Sequence, residues 1–311
     1  MLKLDILIPT YNRANYLEKN IKALVETIET LNISRRVSII VSNNNSTDDT
    51  KNKLKSFTEK YDFINVFNQT ENIGLEKNSL FCLEKSTADF VMYLGDDDYL
   101  SSKYIEKVLY KIDTVKNLHL IIPSYYNIDT DGNKIPGERD IGLKEITLEP
   151  GITSALYFSY RGHQLSGLTF KNIDTHSKYF SLGVSNLYPF IFFATYSSLC
   201  GISIHLPEEP VRVTTTSQIN KDWTYGYDGL LNDVFNNFAV LNMISYKERI
   251  KLEQNFLKYN SRRYISAIRK KPFHFIYSVI SSSNTSIITK FSYIYLIPYS
   301  IFKLLSKKIK R

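Results

Sequence analysis

Four short apolar runs in the first 125 residues constrain the fold more than any other feature of this sequence. They are rich in β-branched and aromatic residues and lie at Leu4–Ile8, Val37–Val41, Ile64–Phe67 and Phe90–Leu94. Between them, apolar residues recur at helical spacing, as in Tyr16–Leu31 and Lys77–Lys85. Strands that alternate with helices predict a parallel sheet with helices on both faces, and near-continuous apolar runs are typical of strands buried on both sides.

The second half of the chain is less regular. Further strands are predicted at Leu118–Pro123, Gly167–Phe170, Ile202–Leu206 and Val211–Val213. Asp129–Asn133 has the composition of a hairpin tip, the aromatic run Tyr188–Leu199 predicts a buried helix, and Gly229–Lys271 is mostly helical in pattern. In the first half, Ser46 or Thr47 is suited to cap the second helix.

Polar or small residues follow each of the four apolar runs. These segments are Thr10–Arg13, Asn43–Asn45, Asn72–Gly74 and Gly95–Asp98. Ligands of open α/β sheets bind at the carboxyl ends of the strands, so we expect the four segments to converge on one edge. Gly95 would permit close approach of the backbone to a ligand.

Three consecutive aspartates, Asp96–Asp98, directly follow the fourth apolar run. Two carboxylates about 5 Å apart repel by roughly 3 kcal/mol at an effective dielectric near 20, so a cation among them is expected. Mg²⁺ and Mn²⁺ prefer oxygen ligands, and Mg²⁺ usually takes one or two protein carboxylates and completes its shell with water and phosphates. The alternative is a solvated turn, or a cap for a helix that begins near Ser101.

Four segments together resemble family 2 glycosyltransferases with the GT-A fold. The segments are ILIPTYNRANYLEKNIKAL, IIVSNNNSTDDT, ENIGLEKN and ADFVMYLGDDDYL, in the family's order and spacing. The resemblance covers about residues 2–125 and is nearest to the branches that build bacterial surface polysaccharides. It implies an α/β, Rossmann-like, mostly parallel sheet flanked by helices, followed here by a helical C-terminal extension.

The resemblance also implies a nucleotide-diphosphate sugar as donor, with a UDP-sugar favoured. Pro9, Thr10 and Tyr11 match the residues that line the nucleoside pocket, and Arg13 matches a position near the phosphates. Asn43 and Asn44 stand where the family usually has acids or Asp-Asn, and an amide donates as well as accepts hydrogen bonds. The loop beside the nucleotide is matched by Asn72, Gly74 and Asn78.

By the same resemblance, the aspartates contact the ribose and a divalent metal, Mn²⁺ or Mg²⁺. Asp96 and Asp97 match the ribose- and metal-contacting acids, with Asp97 as the direct ligand. Asp98 is the third candidate ligand, or a support from behind.

Members of this family invert the anomeric centre in one displacement, and a general base takes the proton of the acceptor hydroxyl. Many relatives carry an acidic pair just before the aromatic helix, where this chain has Ser185 and Asn186. The base must therefore come from elsewhere. The candidates are Asp174, Asp222, Asp228 and His163, of which we name His163 and Asp228; for His163 a packing or surface role is the alternative.

Positive charge is concentrated in the C-terminal part of the chain. From Lys247 onward there are 15 Lys or Arg and two acids, a net charge of +13, whereas the whole chain carries +8. Residues 291–305 are apolar and aromatic, and a basic segment follows. This pattern favours an anionic membrane surface over a nucleic acid. The alternative is a C-terminal helix packed on the core or on a second subunit.

We predict a glycosyltransferase domain over residues 1–220, with a nucleotide-sugar half (1–125) and an acceptor half (126–220). A helical extension (221–285) and a basic, aromatic tail (286–311) follow. No signal peptide is expected at the N-terminus. The expected location is the cytoplasm, with peripheral attachment to the inner face of the cell membrane and a glycan or lipid-linked acceptor.

Two other classes compete with a metal-dependent glycosyltransferase. A sugar-phosphate nucleotidyltransferase also uses an acidic metal site, but should have a basic, glycine-rich phosphate loop, which residues 9–13 do not resemble. A non-catalytic nucleotide-sugar-binding scaffold at the membrane is the third class, and the missing acidic pair favours it.

Overall fold

The first half of the chain forms the parallel part of the sheet. The structure is a computed structural model that describes residues 1–184, 186, 188–215 and 234–293. The strands are β1 (Leu4–Thr10), β2 (Val37–Asn43), β3 (Ile64–Asn68) and β4 (Phe90–Tyr93). They lie in the order β3-β2-β1-β4, all parallel, with Thr10 opposite Asn43 and Asn43 opposite Asn68. The predicted strand–helix alternation is confirmed, and the strand ends share one edge.

The helices of this half are α1 (Ala14–Thr30), α2 (Thr50–Thr58), α3 (Leu75–Lys85) and α4 (Ser102–Thr114). Ser101 caps α4 by accepting from the Tyr104 backbone N–H at 3.0 Å. The prediction that Ser46 or Thr47 caps α2 was wrong, because α2 begins at Thr50. The Ser46 hydroxyl instead accepts the Asn12 N–H at 2.9 Å, which ties the β1–α1 loop to the β2–α2 loop.

The second half makes the sheet mixed. Its strands are β5 (Leu118–Ile128), β6 (Lys134–Arg139), β7 (Ile146–Leu148), β8 (Thr169–Lys171) and β9 (Ile202–Thr214). In the part of the chain that the structure describes, nine strands form one sheet in the order β3-β2-β1-β4-β8-β5-β9-β7, with β6 paired to β5. The β8 strand is antiparallel to β4 and β5, whereas β9 is parallel to β5. The hairpin tip at Asp129–Asn133 is confirmed.

Two predicted strands are one strand in the structure. The segments 202–206 and 211–213 both belong to β9, whose pairing with β5 shifts register between Pro123 and Tyr125. Pro207 and Pro210 lie in the interval between them. Because proline has no N–H for the ladder, it interrupts the pairing without ending the strand.

The remaining helices cover one face of the sheet and form the C-terminal extension. They are α5 (Ile152–Phe158), a 3₁₀ helix (Ser159–His163), α6 (Asn172–Ser181), α7 (Pro189–Cys200), α8 (Val234–Ala239), α9 (Tyr246–Tyr259), α10 (Ser261–Lys270) and α11 (Pro272–Ser281). The predicted aromatic helix is α7, and its Ile191, Phe192 and Phe193 are fully buried. It therefore connects the core beneath the sheet with the core of the extension.

A helical C-terminal region is confirmed: of the predicted extension, the structure describes residues 234–285, which hold α8 to α11. Helix α9 begins with a capping box, in which Ser245 and Glu248 each bond the other's backbone N–H. The predicted domain boundary at residue 220 lies outside the described residues, as does the tail beyond residue 293. None of the helices described is both long and apolar enough to cross a bilayer.

Candidate active site at the carboxyl edge of the sheet

A cavity of about 470 Å³ opens at the carboxyl ends of β1 and β4. Its walls come from both halves of the chain: the strand-end loops on one side, and the 3₁₀ helix, the start of α7 and the end of β9 on the other. Of the residues named from the sequence, it is lined by Pro9, Thr10, Tyr11, Arg13, Asn44, Asn72, Gly74, Asn78, Asp96, Asp97, Asp98 and His163. The expected convergence of the four strand-end segments is thus observed.

Two of the named candidates that the structure describes, Asn43 and Asp174, do not line this cavity. Asn43 is buried at the end of β2, where its amide donates to Asn68 Oδ1 at 2.8 Å and its carbonyl accepts the Ser46 N–H. Asp174 lies on α6 and forms an ion pair with Lys171. Asp228, like Asp222, lies outside the described residues.

The loop 72–74 is held in place by side chains from neighbouring strands. The Asn44 amide donates to Asn72 Oδ1 at 2.8 Å and accepts the Ile73 N–H at 2.9 Å. Gly74 ends the loop with a φ of 85°, a conformation that favours glycine, and α3 starts at the next residue. Asn78 is buried below it and bonds Ser42 through both ends of its amide. These contacts preorganise the loop without a ligand.

Asp96 and Asp97 each contact a residue at the carboxyl end of β1 or in the loop that follows it. The Thr10 hydroxyl donates to Asp96 Oδ2 at 2.7 Å. Arg13 Nη1 lies 3.1 Å from Asp97 Oδ2, and both side chains are only about one-seventh exposed, at 14% and 16%. Thr10 and Arg13, which the sequence placed in the binding loop, therefore also orient the acids.

Asp98 is nearly buried and accepts hydrogen bonds at both carboxylate oxygens. Its Oδ2 accepts from the Ser166 hydroxyl at 2.5 Å, and its Oδ1 accepts from the Thr214 N–H at 2.8 Å. Gly95 is needed for this arrangement, because a Cβ there would lie 2.9 Å from Asp98 Oδ2. Gly95 therefore has an internal contact to make room for as well as a place in the cavity wall, and the hydrogen bonds of Asp98 are those of a residue that supports the acidic turn.

Asn20 holds the backbone of the acidic turn from below. It projects from α1 with only 1% of its surface exposed, and its amide donates to the carbonyls of Gly95 at 3.1 Å and Asp98 at 2.5 Å. The sequence interpretation missed this residue. A signal was available, since Asn20 interrupts the apolar stripe of α1 between Leu17 and Leu24.

The acidic turn has a surplus of negative charge. Burial, followed by the charge of Asp97, raises the pKa of Asp96. The same two causes raise the pKa of Asp98. The Arg13 guanidinium offsets part of this repulsion. A second cation in the cavity would favour the charged form of these carboxylates.

The arrangement fits a divalent metal that is shared with a phosphate ligand. In the described ranges, no three His, Cys, Asp or Glu side chains converge to hold an ion. The three aspartates therefore do not form a joint ligand set, and the carboxylate of Asp98 is instead bonded to Ser166 and Thr214. Asp97, with Asp96 beside it, would supply the one or two carboxylates that Mg²⁺ usually takes from a protein.

His163 lies in the cavity wall against the helical extension. Its Nε2 is hydrogen-bonded to Arg263 Nη1 from α10, and its ring lies against Tyr188. Burial, and then the charge of Arg263, lowers its pKa to about 3. An imidazole with so low a pKa is a weak proton acceptor near neutral pH, so this geometry disfavours His163 as a general base. Arg263 was not among the site residues named from the sequence. It lies on α10 and lines the cavity, so the C-terminal extension forms part of the cavity wall.

The chain matches the model of Glycosyl transferase family 2 over residues 5–180. It is 35% identical over 112 residues to a GalNAc(5)-diNAcBac-PP-undecaprenol beta-1,3-glucosyltransferase of Campylobacter jejuni, which covers 36% of this chain and 35% of the relative. It is 27% identical over 114 residues to the abequosyltransferase RfbV of Salmonella typhimurium, covering 36% and 33% of the two chains. The matches thus span about a third of these relatives.

A similar fold is seen in a crystal structure of S. aureus TarS, residues 1–349, in complex with UDP-GlcNAc. The TM-score is 0.66 at 13% identity, over 89% of this chain and 80% of the TarS 1–349 chain. The structural similarity therefore extends well beyond residues 2–125, which the sequence motifs covered. Because the family match spans more than half of the residues and the mixed nine-stranded sheet of the described residues matches this structure, the chain belongs to glycosyl transferase family 2 and has the GT-A fold.

Proposed function

We propose that this protein is an inverting, metal-dependent glycosyltransferase of bacterial surface polysaccharide biosynthesis. It moves a sugar from a nucleotide-diphosphate donor, a UDP-sugar, to a glycan or lipid-linked acceptor. The observation that carries the proposal is the single cavity that joins the nucleotide loops with the Arg13–Asp97 pair. Its volume is within the usual range for a small-molecule site.

The donor is assigned to the sheet edge by the chemistry of the residues there. Pro9, Thr10 and Tyr11 offer a wall for the nucleoside, and the preorganised loop 72–74 closes the other side. Arg13 is the cation beside the diphosphate. A metal held by Asp97 would stabilise the negative charge that develops on the leaving diphosphate. TarS, which shares the fold, was crystallised with UDP-GlcNAc, and this supports uracil as the base.

The acceptor is assigned to the wall formed by the second half and the extension. Tyr188, Phe190 and Leu165 give this side of the cavity an apolar and aromatic surface on which a sugar ring can stack. The Campylobacter relative is named for a glycan on undecaprenyl diphosphate, which supports a lipid-linked glycan acceptor here.

We expect the purified protein to bind UDP in calorimetry when Mn²⁺ is present, and to release UDP from one member of a panel of UDP-sugars. Both processes should weaken when the metal is removed by EDTA, because the carboxylates and the diphosphate then repel. Absence of binding to every nucleoside diphosphate tested, with metal present, would contradict the proposed function. Binding without any turnover in the presence of an acceptor extract would favour the scaffold class.

Membrane attachment is supported by an exposed apolar stripe on α11. Phe273, Tyr277 and Ile280 recur at helical spacing, and Phe273 is 86% exposed. Further exposed apolar side chains follow in the helical residues 287–293, namely Ile287, Ile288 and Phe291. Arg269, Lys270, Lys271 and Lys290 flank these side chains in sequence. An apolar stripe with basic flanks fits an anionic lipid surface.

The exposed side chains Phe273, Tyr277 and Ile280 of α11 should therefore determine how tightly the protein binds lipid vesicles. We expect the triple variant Phe273→Ser, Tyr277→Ser, Ile280→Ser to bind anionic phosphatidylglycerol vesicles at least about tenfold more weakly than the wild type, since apolar burial is lost. Sedimentation with vesicles measures this. Ile173→Ser, which removes an exposed apolar side chain on α6, is the control and should bind normally. Unchanged binding of the triple variant, or a dimer that the triple variant dissociates, would overturn the assignment.

A further inference from the structure

The cavity contains a carboxylate that the sequence interpretation did not consider. Glu76 lies in the first turn of α3, directly after the loop 72–74, and its side chain lines the cavity. Among the described lining residues, it is the one carboxylate outside the turn Asp96–Asp98. It therefore has a different position from the acids that face the donor phosphates.

Glu76 is anchored to the opposite wall of the cavity. Its Oε1 accepts the backbone N–H of Asn186 at 2.6 Å, just before the start of α7. Asn186 is itself fixed, because its amide donates to Asn237 Oδ1 at 3.0 Å and its Oδ1 accepts the Tyr188 N–H at 2.8 Å. The carboxylate is thus held at the acceptor wall by a buried network that spans α3, the segment before α7, and α8.

The hydrogen bond to Asn186 places the Glu76 carboxylate beside residue 186, and neither residue 185 nor residue 186 is acidic. Residues 185 and 186 are serine and asparagine, so the base has to come from another element. Of the candidates named from the sequence, His163 is hydrogen-bonded to Arg263, Asp174 does not line the cavity, and Asp222 and Asp228 lie outside the described residues. Glu76 is half-buried and lines the cavity, and the hydrogen bond from the Asn186 N–H fixes its carboxylate there. A carboxylate held in this way can accept the proton of a hydroxyl that binds within hydrogen-bond reach.

We propose that Glu76 is the general base of the transfer reaction, an inference that rests on the proposed glycosyltransferase function. The acceptor hydroxyl oxygen forms a bond to the anomeric carbon while its proton passes to the Glu76 carboxylate. The bond between the anomeric carbon and the diphosphate oxygen breaks, and its electron pair leaves with the nucleoside diphosphate. The glutamic acid then returns its proton to water, so charge and atoms balance.

Glu76→Gln tests this directly, because the glutamine carbonyl can still accept the Asn186 N–H but cannot take a proton. We expect the rate of transfer to fall by about 10²–10⁴-fold, the usual contribution of a general base. UDP affinity in calorimetry and the thermal midpoint should stay at wild-type values, and the limb of the pH profile that rises with pH should be lost. Glu84→Gln, a change of an exposed glutamate on the same helix, is the matched control and should have full activity.

The results separate this inference from the function on which it rests. A wild type that transfers sugar, together with a Glu76→Gln variant that transfers it equally well, would overturn the role of Glu76 alone. Loss of UDP binding or a lower thermal midpoint in Glu76→Gln would show a merely structural role and would also overturn it. A wild type that binds no nucleoside diphosphate would instead refute the proposed function.

Discussion

Asp97→Asn should transfer sugar about 10²–10³-fold more slowly than the wild type, the usual loss when one charge-stabilising contact of a transition state is removed. The change keeps the size of the side chain but removes the charge that pairs with Arg13 at 3.1 Å and that would hold the metal. Release of UDP from the donor identified in the panel measures the effect. The increase in UDP affinity that Mn²⁺ produces should be lost in the same variant.

The matched control is Asp131→Asn, which neutralises an exposed aspartate at the β5–β6 hairpin tip. It should leave transfer and UDP binding unchanged. If Asp97→Asn transfers sugar as fast as the wild type and responds to Mn²⁺ in the same way, the acidic turn is not the metal site, and the proposed role of this edge of the sheet has to be abandoned.

Asn20→Ala should destabilise the protein by about 3 kcal/mol, because the part-buried carbonyl of Gly95 and the buried carbonyl of Asp98 lose their hydrogen-bond donor. A thermal midpoint lower by roughly 5 °C in calorimetry is expected from that loss. The turn should also become less well ordered, so the affinity for UDP with Mn²⁺ should fall although Asn20 does not line the cavity.

Asn52→Ala provides the comparison for this stability effect. Asn52 is exposed on α2 and its side-chain amide donates to Asp49, also at the surface, so its loss should change the free energy of unfolding very little. An Asn20→Ala variant that unfolds at the wild-type temperature and binds UDP normally would show that the acidic turn holds its shape without support from α1.

The fold of residues 1–125 could be predicted from local features of the sequence. Each strand of this half is a short apolar run, each helix has an amphipathic pattern, and each strand end carries polar residues. Parallel strands align their carboxyl ends, so Thr10, Asn44 and Asp97 had to approach one another once the strands were assigned. The convergence of these residues was therefore predictable without any tertiary information.

The fold of residues 126–220 could not be predicted in the same detail. The strand β8 has three residues and β9 contains two prolines, so neither gives a clear period-two pattern. Their places in the sheet, with β8 antiparallel between β4 and β5, depend on contacts between residues far apart in the chain. Burial of Asp98 likewise depends on Ser166 and Thr214, which come from these two regions.

By itself, the sequence determined the alternating α/β architecture of the first 125 residues and the place of the acidic turn, because hydrophobic period and strand-end chemistry are local properties of the chain. The family was recognised separately, from the resemblance of four sequence segments. Only the tertiary structure decided which groups each aspartate pairs with, and that Glu76 and Arg263 line the same cavity from α3 and α10. The physical reason is that the position of a charged side chain depends on which distant groups pair with it, and residues separated by about 100 positions carry no sequence pattern that records such a pairing.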